Sequence, residues 1–143
     1  MSRNHASRFR FSSIFTCESD GFLCKNSKNI PLDFQRKLER LGLNVKVTAD
    51  GDAAVREYAT ARTSGEPYDV VIFDLTVPGG MGGADAMREI LKIDPAARGI
   101  VSSGYSGDPV MANFRAHGFR GSVPKPYRLA DISRTIREVL NAN

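Results

Sequence analysis

Three side chains that could take part in phosphate chemistry follow apolar, strand-like segments of the sequence. Asp74 follows a run of β-branched and aromatic residues, Ser103 follows a second apolar run, and Lys125 follows a third. A carboxylate can attack phosphorus and form an acyl phosphate. An ammonium group can neutralise the charge of the transferred group, and a hydroxyl can donate a hydrogen bond to one of its oxygens. Asp74 is therefore a candidate nucleophile, with Lys125 and Ser103 as supporting groups.

The spacing of these residues suggests that they meet in space. They are separated by 29 and 22 residues, which is about one strand–helix unit each. Because the carboxyl ends of parallel strands lie at one edge of a sheet, the three side chains are expected to converge there. Each also has a structural interpretation on its own: a helix cap for the Asp, a turn for the Ser and a solvated loop for the Lys. Their joint placement favours the chemical hypothesis.

The elements that would position them alternate between strand and helix. From residue 43 onward, the apolar periodicity predicts strands at 44–47, 68–73, 99–102 and 121–124. It predicts helices over 53–62, from 83 to Asp94, from Pro109 to a Gly118 cap, and over 129–140. A further helix is predicted at 31–41, and the strand before it is either Phe11–Cys17 or Gly21–Cys24. This alternation is typical of a doubly wound α/β fold with a parallel sheet.

The size and composition of the chain fit one globular domain. Its 143 residues are 41% hydrophobic and 25% charged, close to the averages for folded proteins. We expect a flexible tail over 1–10 and one domain over 11–143. The formal net charge of +4 is concentrated near the start, where residues 1–46 hold nine Lys/Arg and four Asp/Glu. Because part of this excess lies in the tail, nucleic-acid binding is not expected.

The two cysteines, Cys17 and Cys24, lack the spacing of a metal site. Reduced thiols are typical of the cytoplasm, where we expect this protein. The basic, Ser-rich start lacks the continuous apolar stretch of a secretory signal, and no apolar window is long enough to span a bilayer. We therefore expect no membrane contact by this domain.

Three segments carry a resemblance to the receiver (CheY-like) domain of two-component response regulators: VVIFDLTVPGGMGG, IVSSGYSGDPVMANFRAHGFRG and VPKPY. They are most similar to the receivers of hybrid sensor histidine kinases, and the resemblance covers about residues 37–141. It implies a flavodoxin-like sheet of five parallel strands in the order 2-1-3-4-5, with helices on both faces.

The resemblance also implies roles for individual residues. Asp74 matches the phosphoacceptor, Lys125 the lysine that contacts the phosphoryl group, and Ser103 the Ser/Thr switch, whereas Ser102 lies one residue out of register. Mg²⁺ is the implied cofactor, with Asp74 and the backbone carbonyl of Thr76 as ligands. The implied phosphodonor is a phosphohistidine on a sensor histidine kinase or a histidine phosphotransfer domain. The family is a signalling module rather than an enzyme, and formation of a homodimer stays open.

Two features depart from the family. Receivers carry an acidic pair after the first strand, but counting back from LERLG without a gap puts Lys25 and Asn26 there. A cation beside Mg²⁺ would make metal binding weak. A gapped alignment, which we favour less, places Glu18 and Asp20 at the pocket. The second departure is Ser122, which stands where the family often has an aromatic side chain that rotates on activation.

Three functions are compatible with this pattern. The first is a phosphorelay receiver domain that accepts a phosphoryl group on Asp74. The second is a pseudo-receiver, which would use the same fold for interaction without phosphorylation because Lys25 and Asn26 replace the acidic pair. The third is a phosphatase similar to the haloacid dehalogenases. It is disfavoured because that family needs a second Asp where this chain has Thr76.

Overall fold

The computed structural model describes residues 11–16, 40, 43–48, 51–75, 82–103, 107–124 and 128–142. The strands in these ranges are β1 (Phe11–Thr16), β2 (Leu43–Thr48), β3 (Val70–Asp74), β4 (Gly99–Ser103) and β5 (Gly121–Pro124). The helices are α1 (Gly51–Thr63), α2 (Gly83–Ile93), α3 (Pro109–Ala112) and α4 (Leu129–Asn141), and a 3₁₀-helix, η1 (Phe114–His117), follows α3. None of these helices is long and apolar enough to cross a membrane.

The strands pair in parallel in the order β2-β1-β3-β4-β5. Parallel neighbours need a crossover connection between them, which a helix usually supplies. Strand and helix accordingly alternate along the described chain from β2 onward. The predicted parallel α/β sheet with helices is confirmed, and the strands predicted at 44–47, 68–73, 99–102 and 121–124 correspond to β2 through β5.

One face of the sheet packs against α1 and α2. Met87 and Ile90 lie three residues apart on α2 and are fully buried, as expected for the apolar stripe of an amphipathic helix. The rings of Phe73 and Phe119 meet edge to face with centroids 6.2 Å apart. The buried residues of this first core are Ala54, Tyr58, Val71, Phe73, Ala86, Met87, Ile90, Ala97, Val101 and Phe119.

The opposite face packs against α4. Ile132, Ile136 and Val139 follow one another at spacings of four and three residues, which places them on one stripe of the helix. The second core consists of these three residues with Val70, Ile72, Ile100 and Val123. Successive residues of β3 thus alternate between the two cores. This explains why the strand is apolar from Val70 to Phe73, since a strand covered on both faces needs apolar side chains on both.

The helix predicted from Pro109 to Gly118 is divided in two. Asp108 caps α3 as expected, because its Oδ1 accepts a hydrogen bond from the N–H of Val110 at 2.9 Å. The helix stops after Ala112, since Asn113 has a non-helical backbone (φ −134°, ψ 52°). The chain continues as the 3₁₀-helix η1, and Gly118 ends it in the left-handed conformation (φ 91°). The prediction of one continuous helix was therefore wrong, whereas its two caps are confirmed.

The first strand, β1, occupies the earlier of the two candidate segments, Phe11–Thr16. It pairs with β2 from Phe11↔Leu43 to Thr16↔Thr48, and with β3 from Ser13↔Val70 to Phe15↔Ile72. The second candidate, the predicted tail over 1–10 and, apart from Arg40, the predicted helix at 31–41 lie outside the described residues. The domain boundaries given by the sequence therefore stay predictions.

Candidate functional site

Three strand ends meet at one edge of the sheet. Asp74 is the last residue of β3 and is paired with Ser102 of β4. Ser103 is the last residue of β4 and is paired with Pro124, the last residue of β5. Lys125 follows Pro124 directly in the sequence. The structure therefore brings the backbone positions of the candidate nucleophile and the candidate hydroxyl to adjacent strand ends, and it brings the strand that leads to the lysine beside them.

Other predicted site residues lie outside the described part of the chain: Lys125 itself, Thr76, Lys25, Asn26, Glu18 and Asp20. For Asp74 the structure describes the backbone position. The assignments of the acceptor, the lysine and the metal ligands therefore stay predictions. Among the described residues there is no cluster of three or more His, Cys, Asp or Glu side chains that could hold a metal ion.

Two adjacent serines end β4, and both are buried, with 1% of Ser102 and 2% of Ser103 exposed. The sequence favoured Ser103 as the functional hydroxyl, but it is Ser102 that is the register partner of Asp74. The carbonyl of Ser102 also accepts a hydrogen bond of 2.8 Å from the N–H of Leu75, the residue after Asp74. Strand β4 is therefore tied to the backbone on both sides of the candidate nucleophile.

The hydroxyl of Ser102 has no hydrogen-bond partner among the described groups, which do not include the side chain of Asp74. A buried hydroxyl without a partner costs on the order of 1–3 kcal/mol, so such groups are rare in cores. A buried hydroxyl without a partner can be recognised only when the fold is known. The sequence shows two adjacent serines but not the strand register. The burial and register of Ser102 therefore could not be predicted from the sequence.

Gly83 sets the distance between α2 and the end of β3. A Cβ atom at this position would stand 3.0 Å from the Cβ of Phe73 and 3.0 Å from the Cδ2 of Leu75. Both distances are shorter than an ordinary van der Waals contact. A larger residue at position 83 would therefore push the first turn of α2 away from the sheet edge. The glycine-rich VPGGMGG segment signalled a tight loop in the sequence, but not which glycine makes this contact.

The start of α4 fixes the chain that follows the lysine segment. Asp131 Oδ2 accepts a hydrogen bond of 3.0 Å from the N–H of Arg128, and the carbonyl of Arg128 accepts from the N–H of Ile132 at 3.2 Å. The hydrogen bond from Arg128 and its positive charge hold the pKa of Asp131 below its usual range. These contacts hold the start of α4, which begins a few residues after Lys125 in the sequence.

Ser122 is the second of the four residues of β5 and is paired with Val101. It is half-buried and lines a cavity of about 520 Å³ together with Arg115, Arg120 and Glu138. The sequence of β5 contains no aromatic residue. At position 122 the structure places the small side chain of Ser122 beside this cavity.

The family model for the response regulator receiver domain matches residues 18–137. Among curated proteins, the sensor kinase CckA of Brucella abortus is 31% identical over 105 residues, covering 73% of this chain and 11% of the kinase. The chemotaxis protein CheY of Thermotoga maritima is 30% identical over 105 residues, covering 70% of this chain and 87% of that protein. The chain thus spans about a tenth of the kinase it matches and nearly the whole length of the chemotaxis protein.

Solved structures share the fold. The receiver domain of a sensor histidine kinase from Pseudomonas aeruginosa superposes with a TM-score of 0.70 at 22% identity, covering 92% of this chain and 99% of that domain. In that structure a magnesium ion is coordinated in the active-site cleft. At this identity the likeness shows the fold, and the metal is a property of the Pseudomonas domain.

The range matched by the family model does not include β1. The match begins at residue 18, whereas β1 ends at Thr16. A first strand inside the matched range corresponds to the second candidate segment, Gly21–Cys24, which leads directly into Lys25 and Asn26. The described β1 instead ends two residues before Glu18. The two assignments therefore bring different side chains to the sheet edge.

Proposed function

Because the chain belongs to the response regulator receiver domain family, we propose that it accepts a phosphoryl group on Asp74 from a phosphohistidine. Receiver domains are signalling domains of two-component systems and pair with histidine kinases or phosphotransfer proteins. The observation that carries the proposal is the register of the sheet, in which the ends of β3, β4 and β5 lie side by side. The family's complete five-strand order, 2-1-3-4-5, is the scaffold we propose for this edge.

In the proposed reaction, a carboxylate oxygen of Asp74 forms a bond to phosphorus while the bond from phosphorus to the donor's imidazole nitrogen breaks. The imidazole keeps the electron pair of that bond and takes up a proton from solvent. The ammonium group of Lys125 offsets the negative charge of the phosphoryl oxygens, and the Ser103 hydroxyl donates a hydrogen bond to one of them. The product is an acyl phosphate on Asp74.

Magnesium is the metal we propose for this site. It prefers oxygen ligands and is usually bound through one or two carboxylates, and a carboxylate at the end of β3 with the following carbonyl of Thr76 supplies that chemistry. When bound, the ion neutralises charge on the transferred group. If β1 is Phe11–Thr16, Glu18 comes soon after its end and is the second carboxylate we propose, with Asp20 nearby in the sequence.

The direct test is labelling of the purified domain with acetyl phosphate and Mg²⁺, followed by intact-mass spectrometry. We expect a phosphoryl adduct on the unmutated domain and none on Asp74→Asn. Asp85→Asn is the matched control, because Asp85 is an exposed carboxylate on α2 that pairs with Arg88 at 2.8 Å. An unmutated domain that stays unlabelled at every Mg²⁺ concentration, while its circular dichroism shows a folded protein, would refute the proposal.

A pseudo-receiver is the second candidate function, and the start of the family match at residue 18 favours it. With the first strand at Gly21–Cys24, Lys25 would stand beside the acceptor and oppose Mg²⁺ binding. Two variants separate the candidates. Glu18→Gln lowers Mg²⁺-dependent labelling if Glu18 is a ligand, whereas Lys25→Asp raises it if residue 25 occupies the metal position. Labelling that changes in neither variant would contradict both metal assignments.

A further inference from the structure

Ser102 has an environment that the fold alone does not explain. Its side chain is 1% exposed, and its hydroxyl has no partner among the described groups, to which the Asp74 carboxyl does not belong. A buried hydroxyl of this kind opposes folding, because its hydrogen bonds to water are lost without replacement. An apolar residue of similar size would avoid this cost. The presence of a serine therefore needs a reason other than packing.

The position of Ser102 supplies that reason. It is paired with Asp74 on one side and with Val123 on the other, so it lies in the same row across the sheet as the proposed acceptor. Its neighbour Ser103 points to the opposite face, since successive side chains of a strand alternate. The two serines therefore reach the edge from different faces, and they cannot perform the same task.

We propose that Ser102 is a positioning residue of the acceptor site, whose hydroxyl donates a hydrogen bond to the carboxyl group of Asp74. This inference rests on the proposed function. The hydrogen bond satisfies the buried hydroxyl and holds one carboxyl oxygen, so that the other oxygen is directed toward the incoming phosphorus. The role differs from that of Ser103, which is proposed to contact the transferred phosphoryl group itself.

The experiment compares the rate of acetyl phosphate labelling in Ser102→Ala, Thr48→Val and the unmutated domain. Thr48 is the matched control because it is also buried, at 8% exposure, and its hydroxyl also lacks a partner among the described residues. It lies at the end of β2, which β1 separates from β3. Both variants lose one buried hydroxyl, but only Ser102→Ala loses it beside the acceptor.

We expect Ser102→Ala to be labelled about tenfold more slowly, the effect of losing one hydrogen bond to a charged group. Thr48→Val should be labelled at the unmutated rate. Thr48→Val should melt at the temperature of the unmutated domain or above it, whereas Ser102→Ala should melt a few degrees lower, because it loses the proposed hydrogen bond to a charged group. Ser102→Cys keeps the shape of the side chain with a slightly larger atom, and its thiol is a weak donor. It should therefore also be labelled more slowly, and it serves if Ser102→Ala fails to fold.

Labelling of a folded Ser102 variant within about twofold of the unmutated rate would overturn the inference, and so would equal slowing in Thr48→Val. These outcomes are distinct from failure of the proposed function, in which the unmutated domain itself takes up no phosphoryl group. A slower rate in both Ser102 variants, measured well below their melting temperatures and without slowing in Thr48→Val, supports the positioning role, because a purely structural serine would not change the rate of transfer.

Discussion

Replacing Tyr58 by Phe removes one hydroxyl that joins α1 to α2. The Tyr58 side chain is 2% exposed, and its Oη donates a hydrogen bond of 2.7 Å to Oδ2 of Asp94, the residue that ends α2. Arg62 supports the same contact, since its Nη1 lies 3.8 Å from Oδ1 of Asp94 and donates to the carbonyl of Ile93 at 2.6 Å. The substitution keeps the aromatic ring in the core and leaves the carboxylate without its buried donor.

The expected loss of stability follows from this geometry. A hydrogen bond to a charged group contributes roughly 1.5–3 kcal/mol. The lower end applies here, because the Asp94 side chain is 20% exposed and water can replace part of the lost interaction. At roughly 2–4 °C per kcal/mol for a domain of this size, Tyr58→Phe should lower the melting temperature by about 3–6 °C at neutral pH.

The loss should depend on pH. Burial alone would raise the pKa of Asp94, but the hydrogen bonds from Tyr58 and the Ala96 N–H and the charge of Arg62 outweigh it and hold the pKa below its usual range. A carboxyl group with a lowered folded-state pKa stabilises the protein above its unfolded pKa, and this contribution disappears as the pH falls through the folded value. The cost of Tyr58→Phe should therefore be largest near pH 7 and shrink below about pH 4.

Thermal unfolding followed by circular dichroism at pH 7 and at pH 3.5 measures both effects. Tyr68→Phe is the control, because Tyr68 donates a comparable hydrogen bond of 2.6 Å to Oε2 of Glu57 but is only half-buried. Its loss should cost less than about 1 kcal/mol. The reasoning is refuted if Tyr68→Phe costs as much as Tyr58→Phe, or if the cost of Tyr58→Phe is the same at both pH values.

Two further pairs of substitutions, all followed by urea denaturation, test the packing of the first core and the cap of α3. Gly99→Ala should cost about 1–3 kcal/mol, because the new Cβ would stand 2.3 Å from Sδ of Met87. Gly82→Ala, where no atom lies within 4 Å of the added Cβ, should cost clearly less, and equal midpoints would contradict the packing argument. Asp108→Ala should lower the free energy of unfolding by about 1 kcal/mol, because the cap on α3 is lost. Asp108→Asn should retain most of the stability that the cap provides. A similar loss in both variants would show that the side-chain hydrogen bond to Val110 is not the source.

The sequence was sufficient to predict the elements that are buried on a regular period. Strand β3 was recognisable because a strand between two helical layers must be apolar on both faces, and Ile72 and Phe73 belong to the two different cores. Helix α2 was recognisable because Met87 and Ile90 share one face of the helix. In both cases a local pattern determines the element, with little contribution from distant residues.

The interruption of the helix after α3 could not be predicted in this way, because no residue between Pro109 and His117 breaks helices strongly. Tertiary packing is decisive there. Phe119 is 2% exposed in the first core, and Gly118 before it lies so close to Leu91 that a Cβ would stand 2.6 Å from Cδ1. The chain has to reach this contact from Asp108, and the tighter 3₁₀ winding with its longer rise per residue accommodates that path.

The first strand was the least predictable element for a related reason. FSSIFT contains three apolar and three polar residues, whereas a strand in the middle of a parallel sheet is usually apolar throughout. The competing segment, Gly21–Cys24, is short but has no polar side chain. Composition therefore favours Gly21–Cys24, whereas the strand that pairs in the structure is Phe11–Thr16. This choice decides whether Glu18 or Lys25 comes next to the acceptor edge.

The identity of the hydroxyl beside Asp74 depends on the two cores rather than on the site itself. Ile100 belongs to the core under α4 and Val101 to the core under α1 and α2. A slip of β4 by one residue against β3 would bring Ser103 opposite Asp74, but it would also exchange these two side chains between the faces of the sheet. Burial at 0% exposure for both residues makes that exchange costly. The packing of Ile100 and Val101 therefore fixes Ser102 as the register partner of Asp74. Substitutions of Ser102 itself should change the labelling rate without exchanging these two side chains, whereas substitutions that disturb the register should also disturb both cores.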